Sequence, residues 1–169
     1  MGSPTEYKNS IYLEGLAWSL LLLLIIIPFL YYNQLPDQIP SHFNGRGNPD
    51  NYSNKASIFI MPGIGLVVFL LLHFLSNKEN LQSSTYRKLS QEELEKARIQ
   101  SRKVLNVFKI IIPTFFIYIT YSTIQIALGE ITGLGNYFLF VFMAVIFGTI
   151  AYYAMWNRSE YVFLHSYSR

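Results

Sequence analysis

Four long apolar runs set the limits on what this chain can fold into. Residues 15–32, 58–75, 110–128 and 134–156 contain almost no ionisable groups, and each approaches the roughly 20 residues a helix needs to cross a hydrocarbon layer. Inside lipid a backbone must satisfy its own hydrogen bonds, which leaves helices as the economical solution for runs of this length. A soluble domain is excluded on the same grounds, because 51% of the 169 residues are hydrophobic and only 14% are charged. The sequence therefore predicts an all-α membrane protein with four transmembrane helices.

Each run carries its own local expectations. The first is longer than a secretion-signal core and leads into Tyr31-Tyr32-Asn33-Gln34-Leu35-Pro36, not a small-x-small cleavage site, so it is expected to stay as an anchor. Tyr31, Tyr32 and Trp156 suit the aromatic belts of a bilayer, and Pro28 predicts a kink near the interface. In the second run, Pro62-Gly63-Ile64-Gly65 invites close approach of another helix, while His73 reads as an interfacial group ahead of a ligand or proton relay. In the third, Thr114, Tyr118, Tyr121 and Gln125, with Ser122 beside them, recur at helical spacing and are expected to face the bundle interior. No charge is expected deep in a membrane segment, and Lys109 is expected to snorkel to the headgroups. The stretch 129–133 predicts a tight antiparallel connection to the fourth helix.

The polar connections divide the chain into 1–75, a two-helix membrane unit; 76–103, a basic connection; and 104–169, a transmembrane hairpin with a short tail. Within the connection, Ser90 and Glu93 form a Ser-x-x-Glu capping box that predicts a helix from about Gln91 running without a break into the third membrane helix. This connection holds Lys78, Arg87, Lys88, Lys96, Arg98, Arg102 and Lys103, against Arg46 and Lys55 in the segment between the first two helices. The excess of Lys and Arg places the connection and both termini in the cytoplasm and the 35–55 segment outside the cell membrane. Anionic lipid or a cytoplasmic protein are the partners such a basic connection would meet. A net charge of +3 without a clustered basic reading element excludes a nucleic-acid partner. The absence of cysteine excludes disulfides and thiol chemistry.

The segment 35–55 gathers the groups that could form a site. Pro36 and Pro40 hold extended backbone at the residues before them, and Asn44-Gly45-Arg46-Gly47-Asn48-Pro49-Asp50 is turn chemistry, so a short hairpin or compact loop is expected. It should pack on the helix ends through Ile39, Phe43 and Tyr52. Asp37, His42, Asn44, Asp50 and Lys55 are the candidate ligand-binding residues. His42 with Asp37 and Asp50 is in principle a divalent-metal set, though its spacing matches no strong ligand motif and no nucleophile accompanies it. Neither a cofactor nor a catalytic residue is assigned, and the chain is read as a binding protein and not as an enzyme. Asp37 and Asp50 are expected to make Asx-type bonds to the backbone, with Lys55 at the headgroup boundary.

The run Leu35-Pro36-Asp37, Ile39-Pro40, His42-Phe43-Asn44, Gly47, Pro49-Asp50, Tyr52 and Lys55, set between two membrane helices, resembles the signature of the bacterial domain of unknown function 1648. The resemblance covers about residues 15–75. That domain occurs in SdpI-type immunity proteins, which protect a cell from its own secreted toxic peptide; those proteins carry a further multi-helix module, whereas two helices follow here. The resemblance implies a multi-pass inner-membrane protein of the immunity or signalling type, recognising a toxic peptide or envelope ligand through the 35–55 loop. The alternatives are an accessory subunit of a larger membrane complex and, on the His42, Asp37 and Asp50 set, a metal-dependent membrane enzyme.

Overall fold

A computed structural model describes residues 4–77 and 90–166, with side chains from Ile11 to Ser76 and for most of 90–155. Helix α1 spans Pro4–Tyr31, followed by a 3-10 turn at Tyr32–Gln34. Strands β1 (Gln38–Phe43) and β2 (Pro49–Asn54) come next, then a 3-10 segment Lys55–Phe59 that leads into α2 (Ile60–Asn77). Helices α3 (Gln91–Ala127) and α4 (Phe138–Ser166) complete the order among the described residues. Four of these helical stretches are long and apolar enough to cross a membrane: Ile11–Gln34, Lys55–Ser76, Arg98–Ala127 and Phe138–Met155.

Helix α3 is the central element, packed against both α1 and α2. It runs for 37 residues from Gln91, and the amide of Leu94 donates to the Ser90 carbonyl at its start, as the capping signal predicts. Its far end closes with a Schellman arrangement. The Glu130 amide donates to the Gln125 carbonyl and the Gly129 amide to the Ile126 carbonyl, with Gly129 at φ +80°, a conformation that side-chain-bearing residues disfavour. The basic residues of 78–89 that fix the charge count, and the side chain of Trp156, lie outside the described residues.

Two apolar clusters hold the three-helix core. Ala17, Leu21, Leu24 and Phe69 pack mid-bundle. Ile27, Leu35, Ile39, Ile58 and Ile124 pack at the end that carries the strands. At Gly65 α2 comes close to both neighbours, since an added Cβ would lie 2.6 Å from a Leu24 methyl and 3.2 Å from the Phe116 ring. By contrast Gly63 has open space around it, so only one of the two small residues serves close approach. Helix α4 stands apart: none of its spanning stretch Phe138–Met155 is buried, and Phe142 stacks on Phe115 of α3.

The polar face of α3 is not the one the sequence suggests. Thr114, Tyr118 and Tyr121 are exposed, and the buried positions among the described residues of α3 are Asn106, Lys109, Pro113, Ile119, Thr120, Ser122, Thr123 and Ile124. Thr114 donates its hydroxyl to the Ile110 carbonyl of its own helix, 2.8 Å away, while Tyr118 donates to the Leu134 carbonyl at 2.5 Å. Spacing alone defines a face without saying which neighbours it meets. Here Tyr118 meets the 128–137 connection and Tyr121 meets Tyr31 of α1; the connection is longer than the tight 129–133 turn the sequence suggests because α4 begins only at Phe138.

Candidate functional site

The 35–55 segment forms the expected hairpin. Strands β1 and β2 pair antiparallel with Gln38 opposite Asn54, Ile39 opposite Ser53, Pro40 opposite Tyr52, His42 opposite Asn51 and Phe43 opposite Pro49. Irregularities at Pro40/His42 and His42/Phe43 re-aim the side chains near the tip. Two strands alone are marginally stable in water, so the hairpin must be fastened to the bundle. Ile39 is completely buried and Leu35 nearly so, both in the cluster with Ile27, Ile58 and Ile124. Tyr52, expected among these anchors, is instead 53% exposed.

The tip is fastened a second time. The Asn44 side-chain oxygen accepts the amides of Arg46 (2.9 Å) and Asn48 (3.2 Å), and the Asn44 amide donates to the Asn48 carbonyl at 2.9 Å. Gly47 takes φ +78° and its carbonyl accepts the Leu134 amide at 2.8 Å. A Cβ on Gly47 would stand 2.7 Å from the Gly135 carbonyl oxygen, and one on Gly133 would stand 2.8 Å from the Gly47 oxygen. The 128–137 connection and the hairpin tip thus touch backbone to backbone, which only glycine at these positions permits.

The candidate residues separate into three roles. His42 and Asp50 face each other across the strands with Nδ1 and Oδ1 2.5 Å apart, and their side chains are 67% and 41% exposed. Asp37 lies at the base of the hairpin, where its carboxylate meets Lys55 Nζ at 3.4 Å and its carbonyl accepts the Lys55 amide at 2.9 Å. Lys55 also sits over the Tyr32 ring, 5.6 Å from its centre. Asn44 shapes the turn. The side-chain-to-backbone bonds expected of Asp37 and Asp50 are made by asparagines: Asn44 as above, Asn51 to the Tyr52 amide and Asn54 to the Ala56 amide, the last two at 2.9 Å. An amide oxygen caps a turn without the desolvation penalty of a charge, and the two carboxylates are left for a histidine and a lysine. Only two members of the His42, Asp37 and Asp50 set come together. Among the described residues, no group of three or more His, Cys, Asp or Glu side chains is arranged to hold a metal.

Behind the hairpin lies a cavity of about 50 Å³. Pro40, Ser41 and Phe43 of β1 form one wall, Ser57, Ile58, Ile60 and Met61 a second, and Ile119, Thr120 and Thr123 of α3 the third. Ser41 is held by the Ser53 hydroxyl at 2.9 Å. Sequence reasoning missed Ser57 and Thr120, because nothing in the spacing of two hydroxyls 63 positions apart (120 minus 57) marks them as neighbours.

At the opposite end of the bundle, three helices bring ionisable groups together inside their packed faces. Lys109 of α3 is fully buried, ion-paired through Nζ to Glu14 Oε1 of α1, with the Ser76 hydroxyl of α2 at 3.3 Å. Ser76 in turn donates to the His73 carbonyl at 2.8 Å. His73 Nδ1 is 3.9 Å from the second Glu14 oxygen, and its ring packs against Trp18 and Phe69. The snorkelling expected of Lys109 does not occur. Its height is as expected, about 27 Å of helix from Ala127 at 1.5 Å per residue, but α1 and α2 wall it in and Glu14 supplies the counter-charge. The cluster sits at the end of the apolar runs, so it places no charge in their middle, and His73 keeps its expected position near the far end of α2 while its ring packs on Trp18 and Phe69. A signal was present: Glu14, Lys109 and Ser76 each border an apolar run on the side away from the hairpin.

No solved structure matches the chain. An uncharacterized protein from Archaeoglobus fulgidus is 38% identical over 42 residues, which is 25% of this chain and 23% of that relative. The shared part is thus about a quarter of each protein. The family model of a domain of unknown function, DUF1648, matches residues 19–66, from within α1 through both strands and into the first turns of α2. The later part of α1, the hairpin and the start of α2 are therefore the part of this chain that is similar to DUF1648.

Proposed function

We propose that this multi-pass membrane protein recognises a peptide or envelope ligand through the 35–55 hairpin and acts as an immunity or signalling protein of the plasma (inner) membrane. The observation that carries the reading is the His42–Asp50 pair. It is ordered on a hairpin fastened at both its base and its tip, yet it is left to solvent. An exposed pair of this kind adds at most about 1 kcal/mol to stability, so the fold does not require it. Rigid polar groups on a braced, exposed loop suit recognition. The charge count directs this end away from the cytoplasm, and the basic connection 76–103 toward a cytoplasmic partner or anionic lipid. The test is a producing strain challenged with its own secreted peptides. Deleting the gene should sensitise the cells, and His42→Ala or Asp50→Ala should fail to restore protection while the protein still inserts. Unchanged sensitivity after deletion would refute the immunity role.

A second reading, an accessory subunit of a membrane complex, draws on α4, whose spanning stretch buries no residue against the rest of the chain. Purification in mild detergent separates the two. Stoichiometric companion subunits support the accessory role, and an isolated chain counts against it.

A further inference from the structure

We propose that the cavity between the hairpin and α3 is a binding site for a small uncharged hydrogen-bonding group, the amide of a peptide ligand, with the Ser57 and Thr120 hydroxyls as its polar contacts. The assignment rests on the recognition reading for the source of the ligand, and extends it from the exposed face of the hairpin to the space behind it.

The chemistry of the walls leads to this class. None of the lining residues is ionisable, and most of the surface is apolar, from Pro40, Phe43, Ile58, Ile60, Met61 and Ile119. A charged group would be desolvated there without a counter-charge, which is costly. Ser41, Ser57, Thr120 and Thr123 interrupt this apolar lining with hydroxyls, and two of the four, Ser57 and Thr120, are buried without a partner among the described residues. Elsewhere in these helices a hydroxyl satisfies itself on the carbonyl four residues earlier: Ser19 on Gly15 (2.8 Å), Thr114 on Ile110 (2.8 Å) and Thr149 on Val145 (2.7 Å). Thr120 does not. It is 1% exposed, and its Oγ1 has no hydrogen-bond partner among the described residues. The buried Ser57 Oγ, on the facing wall, is in the same condition. An unmade buried hydrogen bond is costly, so two hydroxyls lining one space mark where a donor and acceptor from elsewhere would be held. An amide offers one of each. A cavity of about 50 Å³ corresponds to roughly three to five water positions at 10–15 Å³ each, room for one peptide unit and no more. The cavity is not fully enclosed, which leaves an approach open.

The chain contains no cysteine, so introduced thiols report without background. Purified full-length Ser57→Cys protein in detergent is treated with methyl methanethiosulfonate, whose methylthio group transfers to the thiolate with release of methanesulfinate. N-methylacetamide, a single peptide unit, serves as competitor. The expected result is saturable slowing, about tenfold at nine times the half-blocking concentration. Equimolar acetate or tetramethylammonium should leave the rate unchanged, as should N-methylacetamide acting on a Tyr52→Cys control outside the cavity. Adding Thr120→Val to Ser57→Cys should abolish the slowing, because the shape is kept and the hydroxyl lost. If Ser57→Cys does not fold, Thr120→Cys with Ser57→Ala as the second change reads the same site. No labelling, labelling that N-methylacetamide does not slow, or slowing that survives Thr120→Val overturns the proposal. If the block holds while His42→Ala and Asp50→Ala leave peptide sensitivity unchanged, the cavity stands and the reading of the exposed pair fails. The reverse pattern removes the cavity alone.

Discussion

Replacing Lys109 by methionine should destabilise the protein severely, and replacing its partner at the same time should undo most of the damage. Lys109 is fully buried and Glu14 only 28% exposed, so Lys109→Met leaves a carboxylate inside the bundle with no cation from α3. Breaking one side of a buried pair costs about 3–5 kcal/mol. The partial exposure of Glu14 places the cost at the lower end of that range, about 3 kcal/mol. In a chain of this length that is a fall in melting temperature of about 6–12 °C, read as the temperature at which the monodisperse size-exclusion peak in dodecylmaltoside is half lost. The double variant Glu14→Gln with Lys109→Met removes both charges and keeps the volume, and should melt within about 1 kcal/mol of the parent, or about 4 °C. If Lys109→Met melts with the parent, or if the double variant is no more stable than the single, the pair is not a buried, coupled one and the account of this end of the bundle is wrong.

Other substitutions probe the hairpin and its attachment. Gly47→Ala needs a left-handed conformation costing about 1–2 kcal/mol and brings a Cβ to 2.7 Å from the Gly135 oxygen; limited proteolysis should then cut at the hairpin tip before the parent is touched. Ile39→Ala removes a fully buried side chain and should cost about 2–5 kcal/mol, measured by the same melting assay. His42→Ala and Asp50→Ala should each shift stability by about 1 kcal/mol or less, so a large melting shift in either would show that the pair is structural. Gly65→Val pushes a branched side chain into Leu24 and Phe116 and should separate α2 from α1 and α3, seen as loss of the monodisperse peak.

Some features were open to reading from the residues and others were not. The helices were legible because lipid permits so few backbone solutions that an apolar run of the right length suffices to predict one. The hairpin was legible in its prolines and its Asn-Gly turn chemistry, which act over a few residues. What these local signals did not carry was direction. Thr114, Tyr118 and Tyr121 share a face, but which face meets α1 and α2 depends on how three helices rotate against one another. Asp37 and Asp50 were given backbone roles that Asn44, Asn51 and Asn54 perform, because the strand register that sets His42 opposite Asn51, next to Asp50, is a property of the pair of strands. Lys109 looked like a snorkelling lysine because its counter-charge is 95 residues away in sequence.

By itself the sequence determined that this chain crosses a membrane through four helices, where α3 begins, and that a braced turn stands between the first two helices. Each of those follows from the solvent and from forces that act between near neighbours along the chain. Only the tertiary structure decided that the hairpin tip rests on the 128–137 connection, that Ser57 and Thr120 line one cavity, and that Glu14, His73 and Lys109 meet inside the bundle. The lipid leaves apolar helix faces nearly equivalent, so it falls to close packing at Gly65 and to the few polar partners to choose among rotations.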